Sequence, residues 1–264
     1  MTNMALWISL LLLSGAACSA RKPLTEMSDQ ELEELRAWPD LPYTPVEVGS
    51  ELPQIPSDVP PARVDRPREL YVRTWAALQH LPHDQARTEL TQALESRELA
   101  IAYSKDSPDA GGVVLREGRP LLVLNANVLA DTKPYALVNV WTTLTHESEH
   151  LRQLRVATGP ALEAFQYGEL YPGERFTEEV CAALWRDERA AYRVECELSN
   201  TWSNSNQGFD QICRKLNDDP AYDQALLRLM VFAREDRNPE CLSTWARLAG
   251  HPHPEAFGVF RPKR

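Results

Sequence analysis

The 264-residue chain lacks a basic surplus: 28 Lys and Arg stand against 38 Asp and Glu, a formal charge of -10. A general phosphate-backbone binder needs clustered Lys and Arg, so this balance argues against that class, and no nucleic acid is expected as a partner. Beyond residue 20 no apolar run approaches the about 20 residues that cross a bilayer. There is no Cys-x-x-Cys pair, which argues against a structural zinc ribbon, and there is no internal repeat. What remains is ordinary: 43% hydrophobic and 25% charged residues. A chain of this size and composition can bury a core without needing metal or disulfides merely to fold. Composition therefore gives an acidic globular body, and its chemistry must come from a site.

The first twenty residues read as an address. Ala5 to Leu13 forms a short apolar core, followed by the small residues Ser14, Gly15, Ala16 and Ala17 before Cys18. This is the layout of a secretory signal and is too short for a spanning helix. The stretch also resembles a bacterial lipoprotein lipobox, which implies lipidation of Cys18 and a membrane anchor. It departs from that pattern in Gly15, where Leu is usual, and in having no Lys or Arg ahead of the core. The expectation is an exported protein of the cell envelope, membrane-anchored if acylated and otherwise periplasmic or secreted.

Four further cysteines, Cys181, Cys196, Cys213 and Cys241, would be oxidised in such a compartment. Cys181 and Cys196 fall on one predicted helix about 22 Å apart, far beyond disulfide reach. Cys196 and Cys213 flank the polar loop Ser199 to Gly208 almost symmetrically. The expected pairs are Cys196–Cys213 and Cys181–Cys241.

Three segments follow: residues 1–20 as the signal, 21–67 as a short helix and a Pro-rich linker, and 68–264 as the folded body. Ser28 to Glu31 forms a capping box that opens a helix to about Ala37. Pro39 to Pro67 holds eight of the 20 prolines and little periodic hydrophobicity. It reads as an extended spacer, or alternatively as a loop wrapped over the domain. In the body, helices are predicted over Leu70 to Leu81 and His83 to Ser96. Strands are expected over Leu99 to Ser104, Gly112 to Arg116 and Pro120 to Asn127, with Glu117-Gly118 as a turn. A helix from about Asp131 to Val156 comes next. After a Gly- and Pro-rich loop, helices follow over Thr177 to Asn200, Phe209 to Leu216, Tyr222 to Glu235 and Pro239 to Gly250. A small sheet followed by helices is an α+β arrangement.

Thr145-His146-Glu147-Ser148-Glu149-His150 contains the pattern H-E-x-x-H. Histidines at i and i+4 lie on one helix face about 6 Å apart along the axis, so both imidazoles can reach one ion. Glu147 projects beside them, placed to take a proton from a water that the ion acidifies. Leu137, Val140, Trp141, Leu144 and Leu151 gather on the opposite side, so the histidines should face a cleft or solvent.

A catalytic zinc site wants a third protein ligand. Gln153 and Val156 stand where one extended form of the motif needs Gly and His, which turns the search to carboxylates. On the Thr177 to Asn200 helix, Glu188 sits in the middle of an apolar arc, where a carboxylate is expensive unless a cation or several hydrogen bonds satisfy it. Small Ala191 beside it would let two helices approach. Glu195, one heptad on, is the rival ligand or an outer partner for a metal-bound histidine. Glu169 ranks third, and an ion pair between Glu188 and a buried Arg is the plain alternative.

His146-Glu147-x-x-His150, followed by a helix carrying Glu188-Arg-Ala-Ala191-Tyr192, resembles the gluzincin clan of zinc metallopeptidases over about residues 99–200. The resemblance implies a zincin-like fold and one Zn²⁺ held by His146, His150 and Glu188, with Glu147 as general base. It further implies a peptide or protein substrate, paired along a sheet edge at Leu121 to Asn127. The 38-residue step from His150 to Glu188 is longer than in the best-known members. Tyr192, His251 and His253 are candidates for the extra group that steadies the tetrahedral intermediate in this clan.

The first expectation is therefore a cell-envelope zinc peptidase. The alternative is a non-catalytic exported lipoprotein that uses the same fold as a binding or scaffold module. A third idea makes the segment before Arg68 a pro-region over the cleft.

Overall fold

The computed structural model describes residues 22–38, 42–47, 49, 52–54, 56–107, 109–133, 135–167, 176–202, 211–234 and 238–259. Residues 1–20, read above as a signal and including Cys18, and Glu169 lie outside them. The capping box forms as expected: the Ser28 hydroxyl accepts from Glu31 N at 3.2 Å, and the Glu31 carboxylate accepts from Ser28 N at 2.5 Å. It opens α1 (Asp29–Arg36). Pro67 stands at the first turn of α2 (Pro67–Gln79), where its missing N–H costs nothing. The His83 ring accepts from Ala86 N at 3.2 Å and caps α3 (Asp84–Glu95).

Three strands follow: β1 (Ala100–Ser104), β2 (Gly111–Arg116) and β3 (Arg119–Asn125). Glu117 and Gly118 both take positive φ, 53° and 76°, which gives the mirror-image turn that matches the twist of a hairpin. The strand order is β1-β3-β2, with β1 parallel and β2 antiparallel to β3. This corrects the expected edge: β3 is hydrogen-bonded on both flanks, so Leu121 to Asn125 has no open side. Leu122 and Leu124 enter the core from one face of β3, while Leu121 and Val123 on the other are only partly buried. Among the described residues β1 and β2 are the outer strands.

The third strand also ends earlier than expected. Asn125 turns its side chain to accept from Asn127 N at 2.9 Å, starting the short helix α4 (Ala126–Ala130). Asp131 makes a local turn, accepting from Lys133 N at 3.0 Å, and α5 (Ala136–Leu154) begins after it. Leu137, Val140, Trp141, Leu144 and Leu151 are all buried and face the sheet, α2 and α3, as the periodicity predicts. The Trp141 indole N–H fixes this contact by donating to Ala77 O at 2.7 Å.

Part of the expected loop after α5 is helical, α6 (Pro160–Tyr167). The long α7 (Glu178–Ser199) is capped by Thr177, whose hydroxyl accepts from Val180 N at 3.3 Å. Residues 211–213 are helical, and the rest of the helix predicted there falls partly outside the described residues. Next come α8 (Asp219–Arg234), a 3-10 turn (Pro239–Cys241), α9 (Leu242–Leu248) and a 3-10 turn (Pro254–Gly258). Both expected disulfides are present: Cys181–Cys241 and Cys196–Cys213, with Cα atoms 5.1 and 4.8 Å apart. They fit an exported protein in an oxidising compartment. Among the described residues no helix is long and apolar enough to cross a membrane. The molecule is α+β, with a small three-stranded sheet and mostly helices.

Two apolar clusters build the interior. One joins the sheet to α2, α3, α4 and α5; the other joins α7 to the C-terminal helices. The Pro-rich segment is attached along both and is not a free spacer. Trp38 and Val46 pack on the second cluster, Val59 and Ala62 enter the first, and Val46 N and Gly49 N donate to Arg214 O and Asn200 O at 2.8 and 3.0 Å. The wrapped-loop alternative is the one realised.

Candidate metal centre

Helices α5 and α7 pack face to face where the two clusters meet, and α5 is buried almost all round. The four-residue spacing sets His146 and His150 one above the other, with ring centroids 4.6 Å apart. Contrary to expectation, this face does not open to solvent: His146 is 8% and His150 7% exposed. The apolar arc of α7 lies over it, and the rings of Tyr192 and Phe165 stand edge-on to His146 and His150, with centroids 4.6 and 6.2 Å away. Ala191 is fully buried, the small side chain that close helix approach asks for.

Glu188 points at the histidines. Its Oε2 is 3.5 Å from His146 Nε2 and 3.9 Å from His150 Nε2, while the two Nε2 atoms are 2.8 Å apart. One ligand atom from each of His146, His150 and Glu188 falls within 4.8 Å of the others. These separations bracket the edge of about 3.3 Å expected between ligands of a tetrahedral zinc site.

The outer ring nitrogens are engaged as well. Glu195 Oε2 is 2.9 Å from His146 Nδ1, and Asp187 Oδ2 is 2.8 Å from His150 Nδ1. A carboxylate at Nδ1 draws the ring proton there and leaves Nε2 with its lone pair. Two such lone pairs aimed at each other repel unless a cation or proton stands between them. Of the two roles open to Glu195, the geometry favours the outer partner over the ligand.

Asp187 was not singled out in the sequence. A signal existed: it sits three residues after Leu184 and four before Ala191, so it borders the same buried stripe. Glu188 drew attention as the most central acid, and its neighbour serves the other histidine.

Glu147 lies against β2. It is 3% exposed, and its Oε2 has no hydrogen-bond partner among the described residues. The edge strand presses against it: a Cβ placed on Gly111 would lie 3.3 Å from Glu147 Oε1 and 2.7 Å from Thr143 Cγ2. Burial pushes the Glu147 carboxyl up to about 6, even though the two histidines pull it down. Burial opposes the charged form of His146, yet its contacts with Glu188 and Glu195 outweigh this and lift it well above the usual imidazole range. His150 behaves alike: burial lowers it, and Asp187 raises it further than burial lowers it. Four buried carboxylates around two imidazoles make a pocket that favours positive charge at the Nε2 pair. The donor set of two imidazoles and one carboxylate suits a divalent metal ion.

His251 and His253 belong to another neighbourhood. His251 lies between Trp38 and Phe257, with ring centroids at 4.6 and 4.9 Å, and its Nε2 is 3.2 Å from Arg36 O. Its Nδ1 accepts from His253 N at 3.0 Å. Of the three groups considered for the tetrahedral intermediate, only Tyr192 touches the histidine pair. Comparison with protein-family models, with curated proteins and with solved structures gives no match to this chain.

Proposed function

We propose that the chain is a zinc-dependent peptidase of the cell envelope, similar in its site to the gluzincins. The observation that carries this reading is Glu147: a buried carboxylate within electrostatic reach of His146, His150 and Glu188, with one oxygen lacking any partner among the described residues. A buried, unpartnered oxygen costs stability that a purely structural site has no reason to bear. His146, His150 and Glu188 would hold zinc, which acidifies water and polarises a carbonyl oxygen.

Each side chain then has a task. Glu195 and Asp187 hold the two rings by their Nδ1 protons and keep Nε2 free to ligate. Glu147 accepts the proton of the attacking water on its free oxygen, and its raised pKa fits it to return that proton to a leaving amine. Tyr192, set against His146, is the candidate for steadying the developing oxyanion.

The edge strand supports a peptide substrate, and β2 replaces the expected strand in this role. Ala110 O accepts from Asn125 N at 2.9 Å, so by the alternation of an antiparallel ladder Gly111, Val113 and Leu115 turn their backbone groups away from β3. An extended peptide added there would run past Glu147.

Glu147→Gln tests the reading. It keeps the shape and removes the base, so the variant should retain stoichiometric zinc and lose peptide hydrolysis. Unchanged hydrolysis would refute the mechanism.

A second reading rests on the burial of all four groups, at 8%, 3%, 7% and 6% exposure for His146, Glu147, His150 and Glu188. In it the chain is an exported scaffold whose metal ties α5 to α7 without catalysis. Zinc would bind and stabilise the fold, and no peptide library would be cleaved.

A further inference from the structure

The two outer carboxylates are held in very different ways. Asp187 lies in the middle of α7, where hydrogen bonds run in both directions along the helix. Glu195 lies one turn from the C-terminal end at Ser199, where the Cys196, Leu198 and Ser199 carbonyls are taken up by Asn200 N, Thr201 N and Trp202 N as the chain leaves the helix, and helix ends open more readily than helix middles. Yet Glu195 is buried and holds its 2.9 Å contact with His146.

Several attachments converge on this end of α7. Cys196, the next residue, is fully buried and bonded to Cys213. Asn200 Nδ2 donates to Cys213 O at 3.0 Å, closing a second link between the same two stretches. The N-terminal strap adds two more, Gly49 N to Asn200 O and Val46 N to Arg214 O. Gly49 permits this approach, since a Cβ there would fall 2.2 Å from Thr201 O.

We infer that the Cys196–Cys213 disulfide, seconded by the Asn200–Cys213 bond and the strap, is the positioning element for Glu195, and that through Glu195 it sets the metal affinity of the site. The inference rests on the metal-centre reading above. It assigns the two disulfides different tasks: Cys196–Cys213 serves the site, whereas Cys181–Cys241 joins the first turn of α7 to the C-terminal helices. It also makes the site unequal, with His146 dependent on the clamp and His150 independent of it.

The test is zinc affinity of the full chain by competition with a chromophoric chelator, with thermal stability recorded in parallel. Outer partners of metal-bound histidines are worth about 10–100-fold in metal affinity, so Cys196→Ala/Cys213→Ala should weaken zinc binding by about tenfold or more. In a Glu195→Gln background the same pair of substitutions should change affinity little, because the group through which they act is gone. Cys181→Ala/Cys241→Ala should lower thermal stability and leave zinc affinity within about threefold. Equal weakening by both cysteine pairs, or full additivity with Glu195→Gln, would mark general loosening and overturn the inference. Should the first variant not fold, Asn200→Ala removes only the second link; several-fold weaker binding supports the inference, and unaltered binding overturns it. A wild-type chain that takes up no zinc removes the metal centre itself, whereas tight wild-type binding with indifferent variants removes only the clamp.

Discussion

Nε2 of His146 and Nε2 of His150 face each other at 2.8 Å inside the protein, each with a carboxylate behind its other nitrogen. Two neutral rings so oriented present lone pair to lone pair. The arrangement is favourable when a cation joins them.

Metal removal should therefore cost stability. At free zinc about 1,000-fold above the dissociation constant, linkage adds about 4 kcal/mol to the folded state. Chelation should lower the melting temperature by several degrees, and zinc should restore it. A chelator-insensitive transition would contradict the cation assignment.

The outer carboxylates offer a graded check. Asp187→Asn and Glu195→Gln keep size and lose charge, and each should weaken zinc binding by about 10–100-fold without unfolding the chain. Isothermal titration would read this directly. His150→Ala, by contrast, removes a ligand and should abolish stoichiometric zinc.

Gly111→Ala tests the fit of the edge strand on the site. The added methyl meets Thr143 Cγ2 at 2.7 Å and the Glu147 side chain at 3.3 Å. Strain of about 1–3 kcal/mol is expected in denaturant unfolding. Hydrolysis, if present, should fall further than zinc binding, because the methyl presses on Glu147 and not on the ligands.

The contact of α1 with the C-terminal turn should be sensitive to acid. His251 donates through Nε2 to Arg36 O and accepts through Nδ1 from His253 N, so only the neutral ring satisfies both. Burial pushes His251 below the ordinary 6.5, and the neighbouring His253 adds to this, while the backbone bonds and Glu255 oppose it. The folded state thus binds its proton less readily than the unfolded chain. The stability this contributes is complete above 6.5 and is lost as pH falls below that value toward the folded pKa. Amide protection over α1, corrected for the intrinsic pH dependence of exchange, should fall between neutral pH and about pH 5, and His251→Gln, which keeps a donor but does not titrate, should flatten the response.

Much of this was legible in the sequence because the relevant signals are local. The i, i+4 spacing put both histidines on one face, the apolar arc exposed Glu188 and Glu195 as acids in the wrong place, and helix length excluded a Cys181–Cys196 pair. What was missed depends on packing between elements. An apolar run such as Leu121 to Leu124 marks a strand without saying which strands flank it, so the sheet edge went to β3 and not β2. The amphipathicity of α5 separated its apolar stripe from its histidines, but a second helix covering the polar stripe leaves no mark in α5 itself. The partner of His150 was hidden similarly, since Glu188 and Glu195 already stood out on the α7 arc and Asp187 lies only at its border. Proline spacing in residues 39–67 described a chain without its own core; it carried no information on whose core that chain would line.

The strap has a practical corollary for dissecting the molecule. Met27, Leu32, Val59 and Ala62 are each less than 9% exposed, so the ordered unit starts well ahead of α2. A polypeptide trimmed to Arg68 would bare apolar furrows on two sides and would self-associate instead of behaving as an independent body. A piece meant to fold on its own should therefore begin upstream of the capping serine, Ser28, so that Met27, Leu32, Val59 and Ala62 keep their places in the interior.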